Sequence, residues 1–152
     1  YTVKSTVSYT LGANLENLRL AAKRVTAGYQ GPVFMDSDVY KALEAAERLE
    51  KEDGLQVEVL DLRTLLPMDD EAIMASVRKT NRVLIAHEDT RTGGVAGEIT
   101  ARINDQAFEW LDAPVRRVTA HDVPLPYAPT LEDFVLPQTD DLVGAARWLA
   151  AY

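Results

Sequence analysis

The sequence of 152 residues contains no cysteine and only two histidines. Without cysteine there is neither a disulfide framework nor a thiolate metal site, which is typical of proteins from a reducing compartment. No apolar run approaches the roughly 18 residues that a membrane-spanning helix needs, and no secretory signal is visible. We therefore expect a globular chain in a cytoplasm of the bacterial type.

Basic side chains are also scarce, 16 against 24 acidic ones, so the formal net charge is -8. This balance argues against nucleic acid as a partner. Residues 1–30 carry four basic side chains and one acidic, a net +3, which leaves -11 for residues 31–152. Two interpretations of this negative charge stay open. We favour a solvated acidic surface over a docking face for a basic partner.

The length predicts a single domain with a substantial core, and the pattern alternates strands with helices. Residues 57–62 and 82–88 are short apolar runs rich in β-branched side chains, and polar or turn residues follow each. Between and after them, apolar residues recur at helical spacing, as at Ile99 and Ile103. Such alternation predicts an α/β fold whose parallel sheet is covered on both faces by helices.

Two more helices follow from the same spacing. Residues 39–53 place four apolar side chains on one stripe, and Gly54 stands where a left-handed C-terminal residue belongs. These side chains are Val39, Leu43, Ala46 and Leu49. Residues 140–152 predict a closing helix. The segment before it predicts an irregular surface connection because it is rich in proline, with Pro124, Pro126, Pro129 and Pro137.

One stretch could carry chemistry. His87 stands at the C-terminal end of a predicted strand, where open α/β sheets bind ligands, and Thr92, Gly93 and Gly94 open the next helix. One interpretation is an anion-binding crevice lined by backbone N–H groups. The other is a tight glycine turn with an internally bonded histidine and capping carboxylates. We favour the second, because a single Gly-Gly turn is weak evidence and the acidic pair after His87 would repel an anion.

Other groupings favour structure over catalysis. Ser37, Asp61 and His87 could be imagined as a triad, but no serine lies in a nucleophile elbow such as GxSxG. His121 and Asp122 follow the last predicted strand, and they are too few to hold a metal, so we expect a loop hydrogen bond there. We therefore assign no catalytic, cofactor-binding or metal-binding residue.

Three motifs in order, VLDLRTLLPMDDEAI, HEDTRTGGVAGEI and RRVTAHDVPLPYAP, carry a family resemblance. On these, residues from about 38 to 152 resemble the C-terminal, transketolase-type domain of the beta subunit of thiamine-diphosphate-dependent 2-oxo-acid dehydrogenases, of the branched-chain 2-oxoisovalerate or pyruvate type. The resemblance implies a three-layer α/β/α domain with a mixed five-stranded sheet. The expected strands lie near residues 3–10, 32–36, 56–61, 82–87 and 114–119. The first strand should be antiparallel at an edge beside the third, followed by the second, fourth and fifth.

Residues 1–30 do not share this resemblance, although their pattern predicts a strand near 3–10 and then a helix. They weakly resemble the segments between the calcium-binding repeats of secreted RTX-type proteins, without the nonapeptide that binds calcium. The mismatch predicts a chimera or recombined chain, or else a divergent natural terminus. Residues 31–152 form the transketolase C-terminal-like part of the expected single domain.

The resemblance implies an assembly and partner-docking domain that is not an enzyme alone, although the resembled parent is an oxidoreductase. In that family thiamine diphosphate and magnesium are held outside this domain, so we expect no cofactor in this chain. The implied partners are the alpha and beta subunits of an α2β2 dehydrogenase and the basic peripheral-subunit-binding domain of the acyltransferase core. Asp140, Asp141 and Tyr152 are the candidates for docking that domain, and the alternative, equally weighted, is that the two carboxylates cap the last helix and solvate the surface. The alternatives are a small-molecule- or anion-binding domain using residues 92–94, and a recombined or engineered fold with no retained activity.

Overall fold

A computed structural model describes residues 7–10 and 37–152, with side chains from residue 39 onward. Strands and helices alternate along this part of the chain. In order they are β1 (Val7–Thr10), α1 (Ser37–Asp53), β2 (Glu58–Asp61), α2 (Asp70–Thr80), β3 (Leu84–Thr90), α3 (Val95–Ala107), β4 (Arg116–Ala120), α4 (Pro129–Val135) and α5 (Thr139–Ala150). A single 3-10 turn, Phe108–Trp110, follows α3.

The strands form two pairs. β1 runs antiparallel to β2, with Val7 opposite Asp61, and β3 runs parallel to β4, with Leu84 opposite Arg116. These pairings confirm that the first predicted strand is antiparallel and lies beside the third, and that the fourth lies beside the fifth. The predicted strand at 32–36 and the predicted helix before it fall outside the described residues, so the five-stranded sheet is not confirmed.

Helices cover both faces of β3. Leu84 and Ala86 pack against a cluster from α1 and α5, whereas Ile85 packs with buried side chains of α2 and α3. Because successive side chains of a strand point to opposite faces, this alternation produces three layers. The predicted α/β/α architecture is confirmed.

The helical stripes predicted from the sequence face the core. Ile99 and Ile103 of α3 are buried, and Ile103 has no exposed surface. Gly54 ends α1 in a left-handed conformation, φ +68°, and its N–H donates to the Glu50 carbonyl at 3.1 Å. At the start of α2, the Asp69 side chain accepts the Ala72 N–H at 3.1 Å, which satisfies an N–H group that the helix leaves without a partner.

The prediction of an irregular segment between β4 and α5 was wrong, because α4 lies within it. Pro129 occupies the first turn of α4, where proline is tolerated because that N–H has no acceptor within the helix. β3 and β4 each begin two residues later than predicted and also end later, at Thr90 and Ala120. A bulge between His87 and Thr90 lets Thr90 pair with Ala120, so pairing continues past the last apolar residues.

Candidate functional site

The C-terminal ends of β3 and β4 lie side by side. β3 leads into residues 91–94, which we call the β3–α3 turn, and β4 leads into His121 and Asp122. This is the edge of the sheet at which parallel α/β folds bind ligands. The sequence-predicted crevice residues all lie here, since His87 is within β3 and the other three are in the β3–α3 turn.

His87 is held between backbone amides. Its Nδ1 atom lies 3.1 Å from the Asp89 nitrogen, and its Nε2 atom lies 3.3 Å from the Ala96 nitrogen. A neutral imidazole has one lone-pair nitrogen and accepts from one of these N–H groups at a time, whereas an imidazolium accepts from neither. Burial lowers the pKa of His87. The charge and the backbone of Asp89 raise this pKa by a smaller amount, and the charge of Arg117 lowers it further. The surroundings therefore favour a neutral, hydrogen-bond-accepting ring.

Gly94 allows α3 to begin directly against this ring. A Cβ atom at Gly94 would overlap the Thr90 carbonyl oxygen and lie 2.7 Å from His87 Cε1. Gly93, just before it, has φ +79°, which is the left-handed region that glycine adopts without strain. Both glycines are thus required by the turn itself, as the structural interpretation of this motif predicted.

Thr92 is joined to Asp122, thirty residues away. The Thr92 N–H donates to Oδ1 of Asp122 at 2.9 Å, and the Thr92 hydroxyl donates to Oδ2 at 2.7 Å. The Thr92 hydroxyl contributes most to the lowered pKa of the Asp122 carboxyl, and the Thr92 N–H contributes next. An external anion would have to displace a carboxylate that already takes both donors. The two donors of Thr92 are thus already taken by a carboxylate of the chain itself.

The residues predicted to dock a partner are at the two ends of α5. Asp140 lies 2.7 Å from Arg48, and Asp141 accepts the Gln138 N–H at 2.9 Å. Tyr152 follows the other end of the helix, which is about 18 Å long for 12 residues. The structure therefore brings Asp140 and Asp141 together and separates Tyr152 from them.

Sequence reasoning missed an exposed apolar surface between β4 and α5. We call it the apolar strip, and its residues are Val123, Leu125, Tyr127, Leu131 and Phe134, which are 47%, 55%, 104%, 55% and 75% exposed. Phe134 stacks on His121, with ring centroids 5.6 Å apart. Exposed apolar surface of this kind marks interaction sites. The feature of the sequence that could have revealed this strip is the run VPLPYAPTLEDF, in which prolines interrupt the apolar residues.

Carboxylates near the site are used in ion pairs. Glu98 lies 2.7 Å from Arg102, and Glu88 lies 3.7 Å from Lys41. Within the described ranges, His, Asp and Glu side chains form no group of three that could hold a metal ion. In the same ranges, no helix is long and apolar enough to cross a membrane.

Comparisons with known proteins place this geometry in context. Residues 35–142 match the family described as Transketolase, C-terminal domain. The 2-oxoisovalerate dehydrogenase subunit beta of Bacillus subtilis is 44% identical over 115 residues, which is 75% of this chain and 35% of that protein. The mitochondrial pyruvate dehydrogenase E1 component subunit beta-2 of Oryza sativa subsp. japonica is 47% identical over 106 residues, 70% of this chain and 28% of that protein. This chain spans about a third of the length of such relatives.

A solved structure is also similar. It is described as a split gene transketolase, inactive beta4 tetramer, and it superposes with a TM-score of 0.61 at 30% identity. The similarity covers 73% of this chain and 34% of that one. The similar region is again about a third of a larger protein.

Gly94→Ala should lower the free energy of unfolding by about 1–3 kcal/mol, because the added methyl group overlaps Thr90 and crowds His87. Gly144→Ala is the matched control. It lies in α5 with no heavy atom within 4 Å of the added Cβ, and it should raise that free energy by about 0.4–1 kcal/mol. Urea unfolding measures both. A Gly94→Ala variant as stable as the parent would contradict the close approach of α3 to His87.

The depressed pKa of His87 makes stability sensitive to acid. The folded pKa lies below the ordinary value of 6.5, so the stability contributed by neutral His87 is complete above that value. It is lost as the pH falls from there towards the folded pKa. We expect the unfolding free energy to decrease more between about pH 7 and pH 5 in the parent than in His87→Gln, which does not titrate. Parallel decreases in urea unfolding at the two pH values would refute this.

Proposed function

We propose an assembly role for this chain on the premise that it belongs to the transketolase C-terminal domain family. The role is that of the C-terminal domain of a 2-oxo-acid dehydrogenase beta subunit, which docks partners and does not carry out the reaction alone. The observation that carries the proposal is the exposure of the apolar strip. Two relatives are by name subunits of larger enzymes, and the structural neighbour is a tetramer, which supports a role in assembly.

The charge beside the apolar strip indicates the kind of partner. Between Arg117 and Arg147 the chain contains no lysine or arginine and five carboxylates. They are Asp122, Glu132, Asp133, Asp140 and Asp141. Glu132 and Asp133 lie on α4 between the strip residues Leu131 and Phe134. A partner with basic side chains around an apolar centre would complement this surface in charge and in hydrophobicity.

The basic peripheral-subunit-binding domain of an acyltransferase core, which the family resemblance implies as a partner, has the required charge. We propose that it docks on α4 and the start of α5, where it would meet Asp133 and Asp141 and would share Asp140 with Arg48, which lies 2.7 Å from that carboxylate. At the other end of α5, the ring centroids of Tyr152 and Trp148 lie 5.2 Å apart. We propose that this end contacts an alpha or beta subunit of an α2β2 dehydrogenase instead.

At low salt the 152-residue chain should bind the isolated peripheral-subunit-binding domain of a branched-chain dehydrogenase complex. The affinity should weaken at moderate salt, because exposed charge pairs are screened. Phe134→Ser should weaken it by about tenfold or more, as expected for an aromatic anchor in an interface. Glu132→Gln with Asp133→Asn should reduce both the affinity and its dependence on salt. Surface plasmon resonance measures these effects.

Phe108→Ser is the matched control. Phe108 is similarly exposed, at 70%, but it lies in the turn after α3, near the N-terminal ends of β3 and β4, and its loss should leave binding unchanged. Asp105→Asn on α3 controls for the loss of charge at another place. If the parent chain does not bind at low salt, the docking role is wrong. Equal losses for Phe134→Ser and Phe108→Ser would place the interface elsewhere.

We also propose that this chain alone binds no thiamine diphosphate, because the resemblance assigns that cofactor and its magnesium to other domains. Calorimetric titration of the chain with thiamine diphosphate and magnesium should show only heats of dilution. A saturable isotherm with one site per chain would contradict the assignment of an assembly role without catalysis.

A further inference from the structure

The segment 122–128 carries three residues of the apolar strip, and its own backbone offers few hydrogen bonds to hold it. The Val123 N–H donates to the His121 carbonyl at 2.8 Å, which is a contact within the same connection. Pro124 and Pro126 have no N–H to donate. At the end of the segment, the Ala128 carbonyl accepts the Leu131 and Glu132 N–H groups at 2.9 Å each, which ties it to α4. At its start, the contact to another part of the fold is the pair of hydrogen bonds that Asp122 accepts from Thr92.

We propose that Thr92 and Asp122 are positioning residues for the docking surface. Their two hydrogen bonds fasten the start of segment 122–128 to the β3–α3 turn, and this presents Val123, Leu125 and Tyr127 to the partner. The inference rests on the proposed function for the identity of that partner. The fastening of the segment is a separate claim, and it can be measured without any partner.

The β3–α3 turn is suited to act as the fixed side of this contact. Thr92 is held from both directions, since its carbonyl oxygen accepts the Thr90 hydroxyl at 3.0 Å while its N–H and hydroxyl donate to Asp122. Gly94, two residues further along the turn, lies so close to His87 that an added Cβ would be 2.7 Å from the Cε1 atom of the ring. Because the turn is fixed, its two hydrogen bonds also fix the position of Asp122 and therefore of Val123, the next residue.

The chemistry of the pair suits a local role. Hydrogen bonds to an ionised carboxylate are stronger than those between neutral groups, and an aspartate is ionised at neutral pH even before the hydrogen bonds from Thr92 lower its pKa. Thr92 and Asp122 are both exposed, so removing the carboxylate leaves no unsatisfied donor buried in the core. Removing the pair should therefore loosen segment 122–128 without unfolding the domain, as local opening does in other proteins.

Hydrogen exchange and partner binding, measured on the same variants of the full chain, test the inference. Asp122→Ala should speed exchange of the Thr92 amide about tenfold or more and also speed exchange of the Val123 amide, which donates to the His121 carbonyl. It should weaken binding of the peripheral-subunit-binding domain by about tenfold. Thr92→Val removes the hydroxyl alone and should give a smaller effect in both measurements. Thr92→Ser keeps both donors and should behave as the parent.

The outcomes separate this inference from the proposed function. Unchanged exchange in Asp122→Ala overturns the positioning role, whatever the partner does. If exchange is faster but binding equals that of the parent, Asp122 holds the segment without any effect on docking, and this result also overturns the positioning role. If the parent chain does not bind the domain, the proposed function and the docking part of this inference are both wrong. Hydrogen exchange then still tests whether Asp122 holds segment 122–128 to the β3–α3 turn. Should Asp122→Ala not fold, a difference between Thr92→Val and Thr92→Ser supports the inference, and identical behaviour refutes it.

Discussion

Burial of β3 on both faces is the constraint on which the rest of the domain depends. Ile85 packs against α2 and α3, and Leu84 and Ala86 pack against α1 and α5. A strand covered on both sides has no surface along its length at which a ligand or partner could bind. A ligand or partner would therefore bind at its end, where the bulge after His87 leads to the β3–α3 turn, or on helices and connections further out.

At that end, side chains of the chain itself accept from several of its backbone donors. Amides at the start of a helix or in a glycine turn commonly bind a phosphate or carboxylate ligand. Here the carboxylate belongs to Asp122, and the acceptor for the Ala96 or Asp89 amide is the neutral ring of His87. The same geometry that forms ligand sites in other α/β proteins thus joins two connections of this chain.

The exposed side chains of the apolar strip are consistent with a domain that belongs to a larger protein. The chain matches about a third of the length of its beta-subunit relatives, and interfaces between domains and subunits are where large apolar side chains lie outside a core. Under the proposed function, the carboxylates on α4 beside Leu131 and Phe134 would add a preference for a basic partner. The apolar residues would then supply buried area, and the charges would supply orientation and selectivity.

The sequence by itself determined the layers of this domain, because helical and strand periodicities, the Gly54 helix end and the Asp69 cap act over a few residues. It did not predict α4, since a proline such as Pro129 can begin a helix or prevent one. The sequence also did not predict that Tyr152 and Asp140 lie at opposite ends of α5, or that Thr92 is hydrogen-bonded to Asp122. That pair depends on the register of β3 against β4, and the exposure of the apolar strip depends on what the core leaves uncovered. Both are set by contacts between distant segments, which no local pattern specifies.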